Sequence, residues 1–369
     1  MRGASGRRRS RGVSVSTDHT QKNRTARKST MGDDGTQMEN TPKRRRPANT
    51  KRGRSAISVD KTADAGDPQV AMNAMLRQFV LETVRTGVDG LVKEFNDLKT
   101  ITAALPSKTA FDANADKNRY KDVICGDNTR VVLNWPPGAS DYLHANWVPV
   151  RGEKKFICTQ GPIKKTIDDL WRLVWQEKCK AIVMLCGVME QGKKKCEQYW
   201  PEKAGETMAC SGITIRTVEV TEPEKILTVS KLELIVDGES FQCSHFLWNG
   251  WPDRGVPENF MACLRLLAKL KGLSPVVVHC SAGIGRTGTI VGLEMAQQTL
   301  ASGERLKMFD LLKDLRAHRH GSVQTDVQYV YMHRVIIGLA ENKKAVKREE
   351  ITAFYDAYDA FIKERGATG

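Results

Sequence analysis

The stretch that decides the fold is Val276-Val277-Val278-His279-Cys280-Ser281-Ala282-Gly283-Ile284-Gly285-Arg286-Thr287-Gly288. Its three β-branched residues predict a strand, the small residues after Cys280 predict a tight loop, and the apolar periodicity from about Arg286 onward predicts a helix. The backbone amides of such a loop can all point inward, and a helix N-terminus adds partial positive charge. The stretch therefore predicts an anion-binding site between a strand and a helix.

Two side chains of this loop carry chemistry. Cys280 lies where amides and a helix dipole favour a thiolate, and cysteines in such places have pKa values of roughly 3.5–7.5 instead of about 8.5. Arg286 lies on the far side of the loop, and its planar guanidinium can bind two phosphate oxygens at once. A nucleophile and a phosphate clamp in one anion site predict phosphoryl transfer to cysteine.

The same glycines permit another interpretation, which their surroundings disfavour. Gly283-x-Gly285-x-x-Gly288 between a strand and a helix matches the dinucleotide-binding fingerprint. The acidic residue of that fingerprint should end a second strand, but Glu304 stands between two predicted helices. A Walker phosphate loop is also excluded, because Arg286-Thr287 replaces the Gly-Lys-Ser/Thr that it requires.

Charge is distributed unevenly along the chain. The 369 residues suffice for one large domain, and the formal net charge is +15. Residues 1–70 contain 17 Lys and Arg against 7 Asp and Glu and few large apolar residues, so we expect a disordered basic tail. Its basic clusters at 7–11, 43–46 and 51–54 suit contact with import machinery, nucleic acid or acidic membrane, and equally a solvated arm without a specific partner.

Cysteine usage and hydropathy indicate a compartment. The nine cysteines show no regular spacing, which favours free thiols in a reducing compartment over a disulfide framework. The basic N-terminus lacks the apolar segment of a secretory signal, and the longest apolar run, residues 181–188, is too short to span a bilayer. We expect a soluble, monomeric, cytoplasmic protein that the tail could also direct to the nucleus.

Hydrophobic periodicity predicts an α/β fold. Folded character begins near Val70, and an amphipathic helix follows from Phe79. Many strand-like runs lie only a few residues apart, which favours antiparallel pairs. We expect a single domain with one highly twisted, mixed β-sheet flanked by helices. The predicted strands are 129–133, 156–159, 181–186, 196–200, 213–220, 226–236, 241–248 and 276–279, and the later helices are 166–178, 286–302, 307–318 and 326–341.

Residues 346–369 are predicted to form a C-terminal amphipathic helix. The pattern favours docking of its apolar face on the chain's own domain over an external partner. That face carries Ile351, Phe354, Tyr355, Tyr358, Phe361 and Ile362.

A cysteine mechanism needs a proton donor for the leaving oxygen and later a base for the attacking water. The best candidate is Asp253 in Trp251-Pro252-Asp253-Arg254-Gly255-Val256-Pro257. Its flanking residues make a loop that is stiff locally and can swing as a flap. An ordinary turn aspartate is the competing interpretation.

Six motifs in a fixed order make the chain resemble the tyrosine-specific protein tyrosine phosphatases, of the non-receptor kind with one catalytic domain. The resemblance spans about residues 71–345 and implies that family's twisted-sheet fold with its Cys-(x)5-Arg phosphate loop. It also implies hydrolysis of phosphotyrosine in proteins, with no metal and no cofactor. The motifs are His279 to Gly288, Trp251-Pro252-Asp253, Lys117-Asn118-Arg119-Tyr120, Thr159-Gln160-Gly161-Pro162, Cys196-Glu197-Gln198-Tyr199-Trp200-Pro201 and Gln324-Thr325-Asp326-Val327-Gln328-Tyr329.

The resemblance implies a role for each site residue. Cys280 attacks phosphorus, Arg286 clamps the phosphate and Asp253 serves as acid and then base. Thr287 stabilises the thiolate, His279 orients the loop from below, and Gln324 and Gln328 position the water. Glu190 holds Arg286, and Lys195 meets the closed flap. The amides of Ser281, Ala282, Gly283, Ile284 and Gly285 bind the phosphate oxygens.

Substrate selectivity is expected from the depth of the cleft. Tyr120 stacks on the substrate ring and walls the cleft, so that phosphotyrosine reaches Cys280 and phosphoserine falls short. The resemblance also implies that Asp122 accepts hydrogen bonds from the substrate backbone, because it matches the family position with that role.

Three segments depart from the family pattern and put substrate preference in question. After Tyr120 the chain reads Lys121-Asp122-Val123-Ile124-Cys125-Gly126-Asp127, where the family usually has a proline-aromatic pair before the aspartate. Arg254 stands where many members have His or Phe. Asp141-Tyr142-Leu143-His144-Ala145-Asn146 replaces Asp-Tyr-Ile-Asn-Ala-Ser. A phosphotyrosine-binding scaffold on the same fold is the alternative function, but the cysteine, the acid and the arginine that such proteins lose are all present.

Overall fold

The computed structural model describes residues 67–100 and 105–366. The basic clusters of the predicted tail therefore lie outside the described residues, and the tail stays a prediction. No helix within the described part of the chain is long and apolar enough to cross a membrane.

One nine-stranded mixed sheet forms the centre of the fold, in the order β1-β2-β3-β11-β4-β10-β9-β8-β7. A separate two-stranded hairpin, β5-β6, lies beside the functional site. The strands are β1 (Arg130–Val132), β2 (Tyr142–Val150), β3 (Glu153–Thr159), β4 (Ala181–Met184), β5 (Met189–Glu190), β6 (Lys193–Lys194), β7 (Thr207–Cys210), β8 (Ile213–Glu224), β9 (Leu227–Val236), β10 (Glu239–Trp248) and β11 (Val276–His279).

Eight α-helices within the described residues flank this sheet. The first departs from helical geometry at Gly87, where φ is 68°. The helices are α1 (Pro68–Thr100), α2 (Thr109–Ala113), α3 (Ile167–Gln176), α4 (Met261–Lys269), α5 (Gly285–Ala301), α6 (Met308–His318), α7 (Asp326–Asn342) and α8 (Arg348–Arg365).

The middle of the sheet is parallel, and this places the site. Strand β11 pairs in parallel with β3 and β4, and β4 pairs in parallel with β10. All four residues of β11 are buried, because a central parallel strand is covered on both faces. The loops that follow these four strands therefore emerge at one edge of the sheet, where α/β proteins bind ligands.

One predicted strand is wrong. Residues 196–200 are irregular, although their apolar pattern resembles a strand. Tyr199 is fully buried, its carbonyl accepts a hydrogen bond from Trp171 Nε1 at 2.7 Å, and its ring packs against Trp200. The apolar residues are explained by this aromatic packing, and not by pairing with another strand.

Six elements of the fold were not predicted from the sequence: β2, β5, β6, β7, α2 and α4. Strand β2 is buried on both faces along most of its length, so it lacks the alternation by which half-buried strands are recognised. Helix α4 is short and follows the Pro-containing flap directly. In contrast, α8 buries its predicted apolar face, with Ile351 fully buried, against the rest of the domain.

Candidate active site

The loop from Cys280 to Arg286, here called the phosphate loop, connects β11 to α5. Gly283 has φ of 70°, and a Cβ there would lie 2.0 Å from the carbonyl oxygen of Thr159. Only glycine therefore permits the turn and the close approach of β3. The Gly283 amide donates a hydrogen bond to Cys280 Sγ at 3.2 Å, so the loop curls around the sulfur.

The environment of Cys280 favours its thiolate. The residue is 4% exposed. Burial raises its pKa, but the charge of Arg286, the Thr287 hydroxyl and amide, and the Gly283 amide outweigh this, so the pKa lies below that of an ordinary thiol. The Thr287 hydroxyl is buried beside the sulfur and lowers the pKa of Cys280 as a hydrogen-bond donor to the thiolate.

Arg286 is held in a fixed orientation under the loop. Its side chain is 2% exposed. Nη1 and Nη2 donate to the two carboxylate oxygens of Glu190 at 2.6 and 3.0 Å, and Nη1 also donates to the Trp251 carbonyl at 2.8 Å. The guanidinium is preorganised because the hairpin β5-β6 and the loop after β10 hold one of its edges.

Asp253 lies at the same place, on the flap of residues 251–257. Lys195 Nζ donates to its Oδ2 at 2.6 Å, and Arg286 Nη2 lies 3.4 Å from its Oδ1. Partial burial raises the pKa of Asp253, but the hydrogen bond from Lys195 and the charges of Arg286 and Arg254 hold it below its usual range. The flap is also attached to α7, because Thr325 Oγ1 donates to the Arg254 carbonyl at 3.2 Å.

Gln324 and Gln328 meet on the opposite side of the cleft. The backbone N–H of Gln324 donates to Gln328 Oε1 at 2.9 Å. Gln328 Nε2 is buried and has no hydrogen-bond partner among the described residues. A Cβ on Gly285 would lie 3.1 Å from both side chains, so glycine at this position lets the two amides approach the loop.

His279 supports the loop from below. Its Nδ1 donates to the Cys280 carbonyl at 3.2 Å, because a carbonyl can only accept. Its Nε2 therefore accepts from the Tyr199 hydroxyl at 2.7 Å, and His245 Nε2 donates to the same hydroxyl at 2.7 Å. This chain of buried polar groups fixes the end of β11.

The site opens as a cleft of about 90 Å³. Tyr120 forms one wall, and its hydroxyl lies 2.8 Å from Ser281 Oγ. Six of the predicted site residues are not part of the lining of this cleft: His279, Thr287, Glu190, Lys195, Gly283 and Ile284. The lining consists of Tyr120, Asp122, Val123, Asp253, Arg254, Cys280, Ser281, Ala282, Gly285, Arg286, Gln324 and Gln328.

Sequence reasoning did not assign three contributors to the site: Val123, Arg254 and Arg319. Val123 lines the cleft but carries no polar group that would mark it. Arg319 is fully buried beneath the phosphate loop and lies outside the six motifs, so no local pattern indicated it. Within residues 67–100 and 105–366, no cluster of three or more His, Cys, Asp or Glu could hold a metal ion.

Comparison with known proteins agrees with this geometry. The family model described as "Protein-tyrosine phosphatase" matches residues 114–338. Receptor-type tyrosine-protein phosphatase eta of Mus musculus is 36% identical over 268 residues, 70% of this chain and 22% of the relative. Tyrosine-protein phosphatase non-receptor type 18 of Mus musculus is 33% identical over 299 residues, 73% of this chain and 63% of the relative.

Solved structures show the same architecture. The structure titled "PTPN18 in complex with HER2-pY1196 phosphor-peptides" has a TM-score of 0.67 at 31% identity, covering 71% of this chain and 98% of the other. The chain spans only about a fifth of the length of the receptor-type relatives that it matches. By its sequence, fold and site, the chain belongs to the protein-tyrosine phosphatase family.

Proposed function

We propose that this protein hydrolyses phosphotyrosine in proteins through a phosphocysteine intermediate. The observation that carries the proposal is the placement of Cys280, with its lowered pKa, at the bottom of a cleft beside Arg286 and Asp253. A nucleophile, a phosphate clamp and a proton donor are the three groups that this reaction needs.

In the first step, the Cys280 thiolate attacks phosphorus and the bond from phosphorus to the tyrosine oxygen breaks. Asp253 gives its proton to that oxygen, and a phosphocysteine remains. Arg286 and the loop amides bind the three equatorial oxygens, whose charge increases in the transition state. The bidentate contact with Glu190 leaves the guanidinium aimed at these oxygens without reorganisation.

In the second step, water attacks the phosphocysteine and the thiolate leaves. Asp253, now ionised, takes a proton from the water, so inorganic phosphate is released and the enzyme is restored. The unpartnered Gln328 Nε2 and the nearby Gln324 are suited to orient that water. The Thr287 hydroxyl lies where it stabilises the sulfur as it leaves.

The protonation of Asp253 depends on the substrate. Lys195 and Arg286 lower its pKa, which opposes its role as an acid. A bound phosphate dianion takes the charge of Arg286 and adds negative charge beside the carboxyl, and both changes raise the pKa. Asp253 therefore becomes protonated, and able to act as the acid, when the phosphate group of the substrate binds.

The cleft favours a long substrate. Tyr120 stands at the wall with its hydroxyl held by Ser281, which leaves the ring face available for stacking on phosphotyrosine. Phosphoserine lacks the length to reach Cys280. The neighbouring structures of PTPN18 with phosphorylated HER2 peptides are consistent with peptide substrates.

The decisive experiment compares a phosphotyrosine peptide with the matching phosphoserine peptide. The wild type should cleave only the first, Cys280→Ser should be inactive, and Asp253→Ala should bind phosphotyrosine but turn over slowly. Binding of phosphotyrosine without hydrolysis by the wild type would refute the enzyme and leave the scaffold function.

The basic tail supports a separate proposal. We propose that residues 1–70 of a cytoplasmic, monomeric enzyme bind acidic partners. The tail's part of the proposal is supported by the excess of Lys and Arg in that segment. Salt-dependent retention of the isolated tail on DNA, absent for residues 71–369, would support a nucleic-acid partner. Equal retention of both fragments would contradict it.

A further inference from the structure

Two segments that depart from the family pattern are in direct contact. His144 Nε2 lies 2.8 Å from the Val123 carbonyl, and Asn146 Nδ2 donates to the Gly126 carbonyl at 3.0 Å. Between them, Cys125 Sγ lies 3.7 Å from the Ala145 carbonyl. The departures on β2 and on the loop after Tyr120 therefore form one physical unit.

The same two β2 side chains hold a buried arginine. Arg319 is fully buried, and no carboxylate pairs with it among the described residues. Its Nη1 contacts His144 Nδ1 at 3.1 Å and donates to Asn146 Oδ1 at 2.7 Å. Neutral acceptors therefore take the hydrogen bonds of this guanidinium. A buried charge without a charged partner needs such hydrogen bonds.

Arg319 in turn holds the phosphate loop. Its Nε donates to the Gly283 carbonyl at 3.0 Å and its Nη2 donates to the Ala282 carbonyl at 3.1 Å. In a trans peptide the N–H points away from the C=O, so the amides of Gly283 and Ile284 point away from Arg319, and the Gly283 amide donates to Cys280 Sγ. A continuous set of hydrogen bonds therefore runs from Val123, at the cleft wall, to the loop that surrounds Cys280.

The tautomer of His144 suits this double contact. The Val123 carbonyl can only accept, so Nε2 carries the hydrogen and Nδ1 accepts from Arg319. Burial and the charge of Arg319 lower the pKa of His144 to about 3, so the neutral ring persists at working pH. One side chain thus donates toward the substrate loop, residues 120–123, and accepts from the arginine of the phosphate loop.

We propose that His144 is a positioning residue that sets the substrate loop against the phosphate loop. Its donor atom, Nε2, determines how the substrate loop presents Tyr120 and Asp122 to a peptide. Its acceptor atom, Nδ1, determines how firmly Arg319 holds the loop around Cys280. The hydrogen bond between Tyr120 and Ser281 joins the same two loops at the cleft. The inference rests on the proposed phosphatase function.

Two substitutions separate the two faces of the ring. In His144→Asn the amide replaces Nδ1, so the contact with Arg319 is kept and the donor to Val123 is lost. In His144→Gln the longer amide replaces Nε2, so the donor is kept and the acceptor for Arg319 is lost. The substrates are a phosphotyrosine peptide and p-nitrophenyl phosphate, which reaches the phosphate loop but has no peptide for the substrate loop.

The two variants should differ in kind. His144→Asn should raise KM for the peptide about tenfold, with kcat on both substrates and KM for p-nitrophenyl phosphate within twofold of wild type. His144→Gln should lower kcat about tenfold on both substrates, with the ratio of their KM values unchanged. His318→Asn, a partly exposed histidine on α6 outside both loops, is the control and should match wild type.

If both variants showed the same decrease in kcat and the same increase in KM on both substrates, the inference would be overturned. That pattern would indicate a general loss of packing. An unchanged peptide KM in His144→Asn would overturn it as well. Hydrogen exchange gives a readout that does not need activity. Amides 120–123 should exchange faster in His144→Asn than in His144→Gln, and equal rates would contradict the inference even if the wild type proved unable to hydrolyse phosphotyrosine.

Discussion

Lys195 Nζ lies 2.6 Å from Asp253 Oδ2, so the lysine after hairpin β5-β6 holds the flap that carries the proposed acid. The same carboxyl is 3.4 Å from Arg286, the proposed phosphate clamp. Closure of the flap and the protonation of its carboxyl are therefore coupled through two cations. This coupling leads to a prediction about pH.

The rate of the first step should peak at mildly acidic pH, because Cys280 must be ionised while Asp253 is protonated. Lys195 lowers the pKa of Asp253, so Lys195→Met should raise that pKa and move the alkaline limb of the single-turnover rate to higher pH. Single-turnover rates on a phosphotyrosine peptide between pH 4 and 8 would measure the shift. Lys193→Met, on the exposed part of the same hairpin, is the control and should leave the limb in place. A flat wild-type profile would contradict the pairing of these two groups.

Removing the carboxylate that holds Arg286 should lower the activity more than it weakens substrate binding. Glu190→Gln leaves a guanidinium that is 2% exposed with a weaker partner, and misplacement of a reacting group by about 1 Å can lower the rate about 10²-fold. We expect kcat to fall by about that factor, measured by steady-state kinetics. Glu197→Gln removes a carboxylate that pairs with the exposed Lys194 and should stay within twofold of wild type. A similar loss in both variants would argue against a specific role for Glu190.

Gly283→Ala should abolish activity because the new Cβ would lie 2.0 Å from the Thr159 carbonyl oxygen. Gly212 has a comparable φ of 79° with nothing within 4 Å, so Gly212→Ala reports backbone strain alone, about 1–2 kcal/mol. Urea unfolding of both variants should show a larger loss of unfolding free energy for Gly283→Ala. Equal losses would mean that the contact between β3 and the phosphate loop relaxes freely.

Cys280 should be the first cysteine to be alkylated or oxidised, since the thiolate is the reactive form. Mass spectrometry after a brief treatment with one equivalent of iodoacetamide should find label on Cys280 alone, and inorganic phosphate should slow the labelling. Mild peroxide should likewise oxidise Cys280 first, and an added thiol should restore the lost activity. Loss of activity that thiols cannot restore would contradict this prediction. Seven other thiols have raised pKa values. The hydrogen bond with Cys196 and then burial raise that of Cys186. Burial is the largest cause for Cys125, Cys158, Cys179, Cys210, Cys243 and Cys263.

Local patterns were enough to predict β11, the phosphate loop and α5. Strand β11 covers the predicted residues 276–279, and α5 begins within one residue of the predicted start. These predictions succeed because consecutive residues dictate them: β-branched residues favour the strand, and Gly283 permits the turn. The failed strand at residues 196–200 shows the limit, since apolar residues there serve buried aromatic packing around Tyr199.

The sequence by itself identified the residues of the proposed chemistry, because Cys280, Arg286 and Asp253 each lie in a local motif. Only the tertiary structure decided how they are held. The resemblance implied that Glu190 holds Arg286, and the structure added the geometry of that contact. The contact between Arg319 and His144, across 175 positions, was not predicted. No local pattern encodes that contact, because it forms only when α6, which ends at His318, packs against β2, which contains His144.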